Sequence, residues 1–131
     1  MKVDIFTLCD SAQEYDGKLV IIGTFNRLSS TQFPTVHPEL ALVARIIFSE
    51  TEKGKHNIDF MVKKENEDIF VIPPGHMTAD ITESKGNDTA INIIIKGNNI
   101  PIQSAGIYKV TLNIDGQIWD SDLIVSQVER L

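Results

Sequence analysis

Alternation of apolar and polar side chains with a period of two constrains this chain more than any other feature. It is clearest between residues 106 and 115, where every second residue is apolar: Tyr108, Val110, Leu112 and Ile114. Successive side chains of a β-strand point to opposite faces, so this spacing predicts strands that each bury one face. No segment carries a sustained apolar stripe with the helical period of about 3.6 residues. The sequence therefore predicts an all-β protein with little or no helix.

Turn residues divide this pattern into short strands. The predicted strands cover residues 2–9, 18–25, 40–48, 56–63, 68–72, 89–96, 106–115 and 117–126. Asp115-Gly116 is the strongest hairpin signal, because a type I′ turn needs positive φ at both central residues. We expect a two-sheet antiparallel β-sandwich of the immunoglobulin-like, Greek-key type, with seven to nine strands, in one domain over residues 1–131.

Two of the predicted strands are apolar on both faces. They are residues 18–25 (KLVIIGTF) and 40–48 (LALVARIIF). Such runs are typical of central strands that are covered on both sides. A helix is the alternative for the second run, although Ile46-Ile47-Phe48 disfavours it by propensity. If the chain itself does not cover both faces, a partner must, because large exposed apolar patches are unusual on a monomer.

Two polar segments are predicted to be irregular connections. Residues 26–39 contain two prolines, and residues 73–88 begin with Pro-Pro-Gly. An edge strand over residues 77–81 is an alternative within the second segment. Long connections in compact domains often carry function, so a site would be sought where these two converge.

Composition and charge exclude several partners. The 131 residues include 12 basic and 18 acidic side chains, which gives a net charge of −6. Nucleic acid and anionic lipid both require a basic surface, so neither is expected as a partner. No apolar run reaches the roughly 18 residues of a membrane-spanning helix. The single cysteine, Cys9, cannot form an internal disulfide, and we expect a cytoplasmic protein.

Metal and cofactor motifs are not recognisable. His37, His56 and His76 are spaced by about 20 residues, whereas zinc sites usually draw two ligands from a close pair. The acids that begin at Asp10 fail the calcium-loop spacing, because position 3 is Ala12. No glycine-rich phosphate motif occurs. The sequence predicts no metal and no cofactor.

Catalytic and carbohydrate-binding patterns are equally weak. Cys9 ends a strand with no histidine nearby in sequence, which favours a packing role. Asp120 and Asp122 share one strand face, and a solvated outer face explains them better than acid–base chemistry does. Trp119 and Tyr108 fall on apolar faces, so the exposed aromatic platform that binds sugars is not predicted. No catalytic residue is assigned.

Several short motifs carry a family resemblance. They are Phe6-Thr7-Leu8-Cys9-Asp10-Ser11-Ala12, Gly17-Lys18-Leu19, Gly23-Thr24-Phe25, Phe33-Pro34, His37-Pro38, Gly106-Ile107-Tyr108 and Asp115-Gly116. With these, the chain resembles a family of small uncharacterised bacterial proteins, with relatives in phages, known as a domain of unknown function. The resemblance implies a β-sandwich and no known activity, and it transfers no functional residue.

The functional prediction rests on the missing catalytic pattern and on the surplus of apolar strand. We expect a non-catalytic module that binds a protein partner or associates with itself. The alternative is a hydrolase or metal-dependent enzyme with a site in the long loops, in the region of Asp10 and His37.

Overall fold

The computed structural model describes residues 1–82 and 87–130, and the regular secondary structure there is entirely β-strand. The strands are β1 (Lys2–Tyr15), β2 (Lys18–Phe25), β3 (Arg27–Ser30), β4 (Thr35–Phe48), β5 (Gly54–Lys64), β6 (Phe70–Ile81), β7 (Thr89–Ile102), β8 (Gly106–Ile114) and β9 (Gln117–Gln127). The prediction of an all-β protein is confirmed.

The strands form two sheets. A four-stranded sheet has the order β2-β1-β4-β7, and a five-stranded sheet has the order β3-β9-β8-β5-β6. The five-stranded sheet curls into a half-barrel, so the expected sandwich stays a prediction. One pairing departs from the expected antiparallel arrangement, because β3 runs parallel to β9 with Leu28 opposite Val125.

The described contacts group the residues into two compact units. The first unit comprises Met1–Phe25, Glu39–His56 and Ala79–Gly97. The second unit comprises Asn26–Pro38, Asn57–Thr78 and Asn98–Leu131. Strands β4, β5, β6 and β7 contribute residues to both units. The extent of the domain over residues 1–131 stays a prediction.

In the first unit, β4 supplies most of the core. Seven of its residues are buried: Leu40, Ala41, Leu42, Val43, Ala44, Ile46 and Phe48. Both strand faces are represented in that set, which confirms the prediction of a doubly covered strand. Cys9 and Ala12 of β1 pack against Ala41 and Val43 in a tight cluster of small side chains.

Strand β2 corrects the other two-faced prediction. In the four-stranded sheet it is an edge strand beside β1. Leu19 and Ile21 pack against the core cluster. Val20 and Ile22, on the opposite face, remain 40% and 57% exposed. The expected central strand is therefore wrong, because the turn after β1 returns β2 to the outside of the sheet.

In the second unit, the β8–β9 hairpin matches its sequence signal. Asp115 and Gly116 have φ values of 52° and 91°, as a type I′ turn requires. The Gly116 N–H donates to Asn113 Oδ1 at 2.8 Å, and the Asn57 N–H donates to Asp115 Oδ1 at 2.8 Å. Tyr108 is fully buried, and its hydroxyl donates to the Ser104 carbonyl at 2.8 Å. The turn and its side chains thus join β5 to the hairpin.

The two segments expected to be irregular are mostly strand. Residues 26–39 contain β3 and the start of β4, and β6 runs from Phe70 through Pro73 and Pro74 to Ile81. Proline removes a backbone N–H, which argues against a central strand. Strand β6 lies at the edge of its sheet and has a neighbouring strand on one side only, and proline is tolerated in such edge strands. The expected loop is therefore wrong from residue 73 to residue 76, and the alternative of an edge strand over residues 77–81 is confirmed within β6. Residues 83–86 lie outside the described residues.

Gly23 provides a stability test of the β1–β2 pairing. It has φ +70°, and a Cβ there would overlap the carboxylate of Asp10, which the register places opposite it. We expect Gly23→Ala to lower the free energy of unfolding by about 2–4 kcal/mol, from backbone strain and overlap together. Denaturant unfolding monitored by circular dichroism measures the loss.

Gly17→Ala is the matched control. Gly17 has φ +75°, but nothing lies within 4 Å of a Cβ at that position. We expect a loss of only about 1 kcal/mol from backbone strain. Equal losses in the two variants would contradict the overlap with Asp10, and Asp10→Ala should recover part of the excess loss in Gly23→Ala.

Candidate functional site

A groove crosses one face of the five-stranded sheet within the second unit. The strand register sets Asp59 opposite Asn113, and Asn113 opposite Ile118. These side chains alternate with buried residues such as Ile58 and Ile114, so they lie on the face away from the core. We call the depression on this face the outer groove.

The outer groove has a volume of about 440 Å³. Its lining residues are Asp59, Phe60, Met61, Pro74, Gly75, His76, Thr111, Asn113 and Ile118. Most of the lining is apolar. Pockets of several hundred cubic ångströms with apolar walls and a few polar groups are the usual form of small-ligand sites.

Gly75 and Phe60 pack together on the core side of the sheet beneath the groove, where Phe60 lies opposite the buried Leu112. A Cβ at position 75 would overlap the Phe60 ring, so the glycine permits the ring to lie against the β6 backbone. Gly75 follows Pro73 and Pro74 inside the edge strand β6. Any larger residue at position 75 must therefore displace Phe60.

Asp59 and His76 form the polar pair of the groove. His76 Nδ1 lies 2.6 Å from Asp59 Oδ1, and both side chains are about half exposed, at 54% and 53%. A carboxylate can only accept, so Nδ1 is the donor and Nε2 is left on the other side of the ring. The pairing fixes the ring of His76 and orients the carboxylate.

Sequence reasoning missed this pair. His76 was placed in an irregular loop, and the two residues are 17 positions apart. They meet because β6 is a strand beside β5. The alternation of apolar and polar residues in β5 predicts that Asp59 faces outward. It does not predict which residue lies beside Asp59, because that depends on which strands pair.

Two further polar groups line the groove. Asn113 Oδ1 accepts the Gly116 N–H, and among the described residues its Nδ2 has no partner. Thr111, the next outward residue of β8, adds a hydroxyl. The groove therefore offers a carboxylate, an amide donor, a hydroxyl and an imidazole nitrogen.

The charges around the groove are mainly acidic. Neither lysine nor arginine occurs among the lining residues. Asp120 lies opposite Thr111 in the register and is exposed. Lys109 donates to Asp122 at 2.6 Å, and this hydrogen bond raises the pKa of Lys109. Asp120 and Asp122 thus lie on a solvated face, as predicted, and the nearby lysine is already paired.

The other candidate residues lie elsewhere. Asp10 is exposed on β1 against Gly23, in the first unit. His37 lines a cleft of about 270 Å³ with Phe33 and Val36, in the second unit. His56 stacks on Phe48 with ring centroids 4.4 Å apart. No group of three or more metal-ligating side chains occurs within residues 1–82 and 87–130. A hydrolase or metal-dependent site at Asp10 and His37 stays a prediction.

The aromatic residues follow the prediction in part. Tyr108 is buried as expected, whereas Trp119 is only half-buried. Trp119 lies opposite Leu112, near the turn of the β8–β9 hairpin. Tyr15 is 73% exposed beside the β1–β2 turn. The expectation that Trp119 is a core residue is therefore too strong.

Comparison with known proteins gives a family and no activity. A protein-family model described as a family of unknown function, DUF6941, matches residues 4–125. No curated protein matches the chain. The part of the chain that the structure describes has no helix long and apolar enough to cross a membrane.

Cys9 yields a test of its packing role. Its side chain is completely buried, and burial raises the pKa of its thiol. Thiolate is the reactive form, so we expect the folded protein to react with a disulfide reagent far more slowly than the unfolded chain. The rate should rise with denaturant in step with unfolding, as followed by absorbance. Rapid reaction without denaturant would contradict the packing role.

Proposed function

The chain belongs to the DUF6941 family, whose function is unknown, and we propose that it is a non-catalytic module that binds protein through the free edge of β2. The partner in this proposal is a second copy of the chain. The observation that carries it is the exposed apolar pair Val20 and Ile22 on an unprotected edge strand.

Edge strands present unpaired backbone groups, and proteins usually protect them with short length, proline, charge or bulges. In the described sheets, three of the four edges have such protection. Strand β3 has four residues, β6 contains Pro73 and Pro74, and β7 contains Lys96 and Pro101. Strand β2 has no proline, and its one charged residue, Lys18, is at its beginning. This contrast favours β2 as the edge that accepts another strand.

The surface beside the β2 edge is apolar enough to support that pairing. Val20 is opposite Gln13 and Ile22 is opposite Ser11 in the β1–β2 register. Tyr15 lies opposite Lys18 and adds an exposed ring to the same face. Burial of such side chains across paired strands stabilises a sheet, with about 0.2–1 kcal/mol for each cross-strand pair.

Charge placement favours antiparallel pairing with a second copy. Lys18 is at one end of β2, and Asp10 lies against Gly23 near the other end. About a two-fold axis, the two copies of Lys18 lie at opposite ends of the strand junction and do not repel each other. The same symmetry brings the two copies of Val20 and Ile22 together on one face.

The expected dimer is weak. Eight paired residues span about 27 Å of strand, and one edge contact buries less area than a standard stable interface. We therefore expect a micromolar dissociation constant and a monomer–dimer exchange that depends on protein concentration.

The net charge of −6 supports a protein partner over nucleic acid or an anionic membrane surface. A cytoplasmic location and a bacterial or phage origin belong to the same proposal. The first rests on the lone Cys9, and the second rests on the family resemblance.

Sedimentation equilibrium of the full chain over a concentration series tests the dimer. We expect the wild type to shift from monomer to dimer and Ile22→Lys to weaken this association by at least about tenfold. The physical reason is that two lysines would then be buried beside each other at the strand junction. A wild type that stays monomeric at millimolar concentration would overturn the proposal.

Ile118→Lys is the matched control. Ile118 is 62% exposed on β9, close to the 57% of Ile22, and it lies in the second unit. The same substitution there should leave the dissociation constant within about twofold, because β2 is unchanged. Equal weakening by both variants would point to a general charge effect and contradict a β2 interface.

A further inference from the structure

We propose that the outer groove binds a small organic cation, with an ammonium group on an apolar body. The proposal concerns the five-stranded sheet and does not depend on association through β2. It rests on the charge of the lining residues, on the apolar walls and on the oriented carboxylate of Asp59.

The charge of the groove selects a cation. Asp59 is the acidic residue of the lining, and the lining contains no lysine or arginine. Asp120 adds a second negative charge beside Thr111. Lys109 and Lys63, which lie opposite each other on the same face, are held by Asp122 at 2.6 Å and by Asp68 at 3.4 Å. A bound anion would be repelled by Asp59 and Asp120, and no lysine or arginine of the lining would balance its charge.

The walls of the groove select an apolar body. Met61, Pro74 and Ile118 line it with apolar side chains. Ile118 is 62% exposed, so burial beneath a ligand would remove apolar surface from water. A volume of about 440 Å³ holds a ring-sized body with room for a polar substituent.

The Asp59–His76 pair positions the ammonium group. His76 Nδ1 donates to Asp59 Oδ1 at 2.6 Å, which leaves Asp59 Oδ2 as the acceptor for a ligand N–H. A hydrogen bond between a carboxylate and an ammonium group is charge-assisted and stronger than a neutral one. His76 therefore acts as a positioning residue for Asp59.

Amide chemical shifts of the isotope-labelled full chain provide the test, with benzylamine as the cation and benzyl alcohol and benzoate as matched probes. We expect saturable shifts for benzylamine at residues 59–61, 74–76 and 111–113, with a dissociation constant on the order of 1 mM. Benzyl alcohol should bind at least about tenfold more weakly. Benzoate should not bind.

Asp59→Asn should raise the dissociation constant for benzylamine by about tenfold or more and remove the preference over benzyl alcohol. Asp68→Asn is the matched control, since Asp68 is 92% exposed and does not line the groove. It should bind benzylamine within about twofold of the wild type. Unchanged amide shifts away from the groove show that each variant is folded.

Three results would overturn the proposal. These are no saturable benzylamine shifts in the wild type, equal binding of benzylamine and benzyl alcohol, or undiminished binding by Asp59→Asn. Loss of dimerisation in Ile22→Lys with benzylamine binding intact would show that the two surfaces are separate.

Discussion

The need to pair every buried backbone N–H and C=O organises this protein, because its described secondary structure is strand alone. Two open sheets have four edge strands, here β2, β7, β3 and β6, and these four strands differ in sequence. Pro73 and Pro74 occur on β6, an edge strand with a neighbouring strand on one side only, and edge strands are where proline is found in sheets. Strand β2 has a full set of donors and acceptors at its outer edge. The need to pair backbone groups thus bears both on the unexpected edge strand β6 and on the exposed edge of β2.

The sequence predicted the strands better than it predicted their neighbours. Alternation located β8 and β9, and Asp115-Gly116 located the turn between them, because these signals act over a few residues. A strand sequence that is apolar on both faces does not by itself show whether the strand is central or at an edge. In β4 it reflects burial on both sides, whereas in β2 it leaves Val20 and Ile22 exposed at an edge. Composition does not distinguish these cases, because the position of a strand depends on pairing with distant segments.

The groove could be predicted only in its parts. Period-two alternation put Asp59, Met61 and Thr111 on outward faces, and the register of β5 with β8 then brought them together. The role of His76 was hidden, because the prolines before it suggested a loop. Gly75 was expected as a turn residue, yet its function is to admit the Phe60 ring. A glycine inside a strand often marks such a close approach, and this is the signal that sequence reasoning could have used.

The acidic charge of the chain acts differently at the two surfaces. Around β2, Asp10 and Asp16 lie at opposite ends of the hairpin, and Lys18 is the base beside the turn. A parallel strand pair would set each Lys18 beside its copy, whereas an antiparallel pair sets the two copies at opposite ends, so repulsion between like charges favours the antiparallel direction. In the groove, by contrast, the lining has no lysine or arginine, and Asp59 is paired with the imidazole of His76. In the two proposals, the placement of Lys18 favours an antiparallel copy at the edge, and the charge of Asp59 favours a cation at the groove.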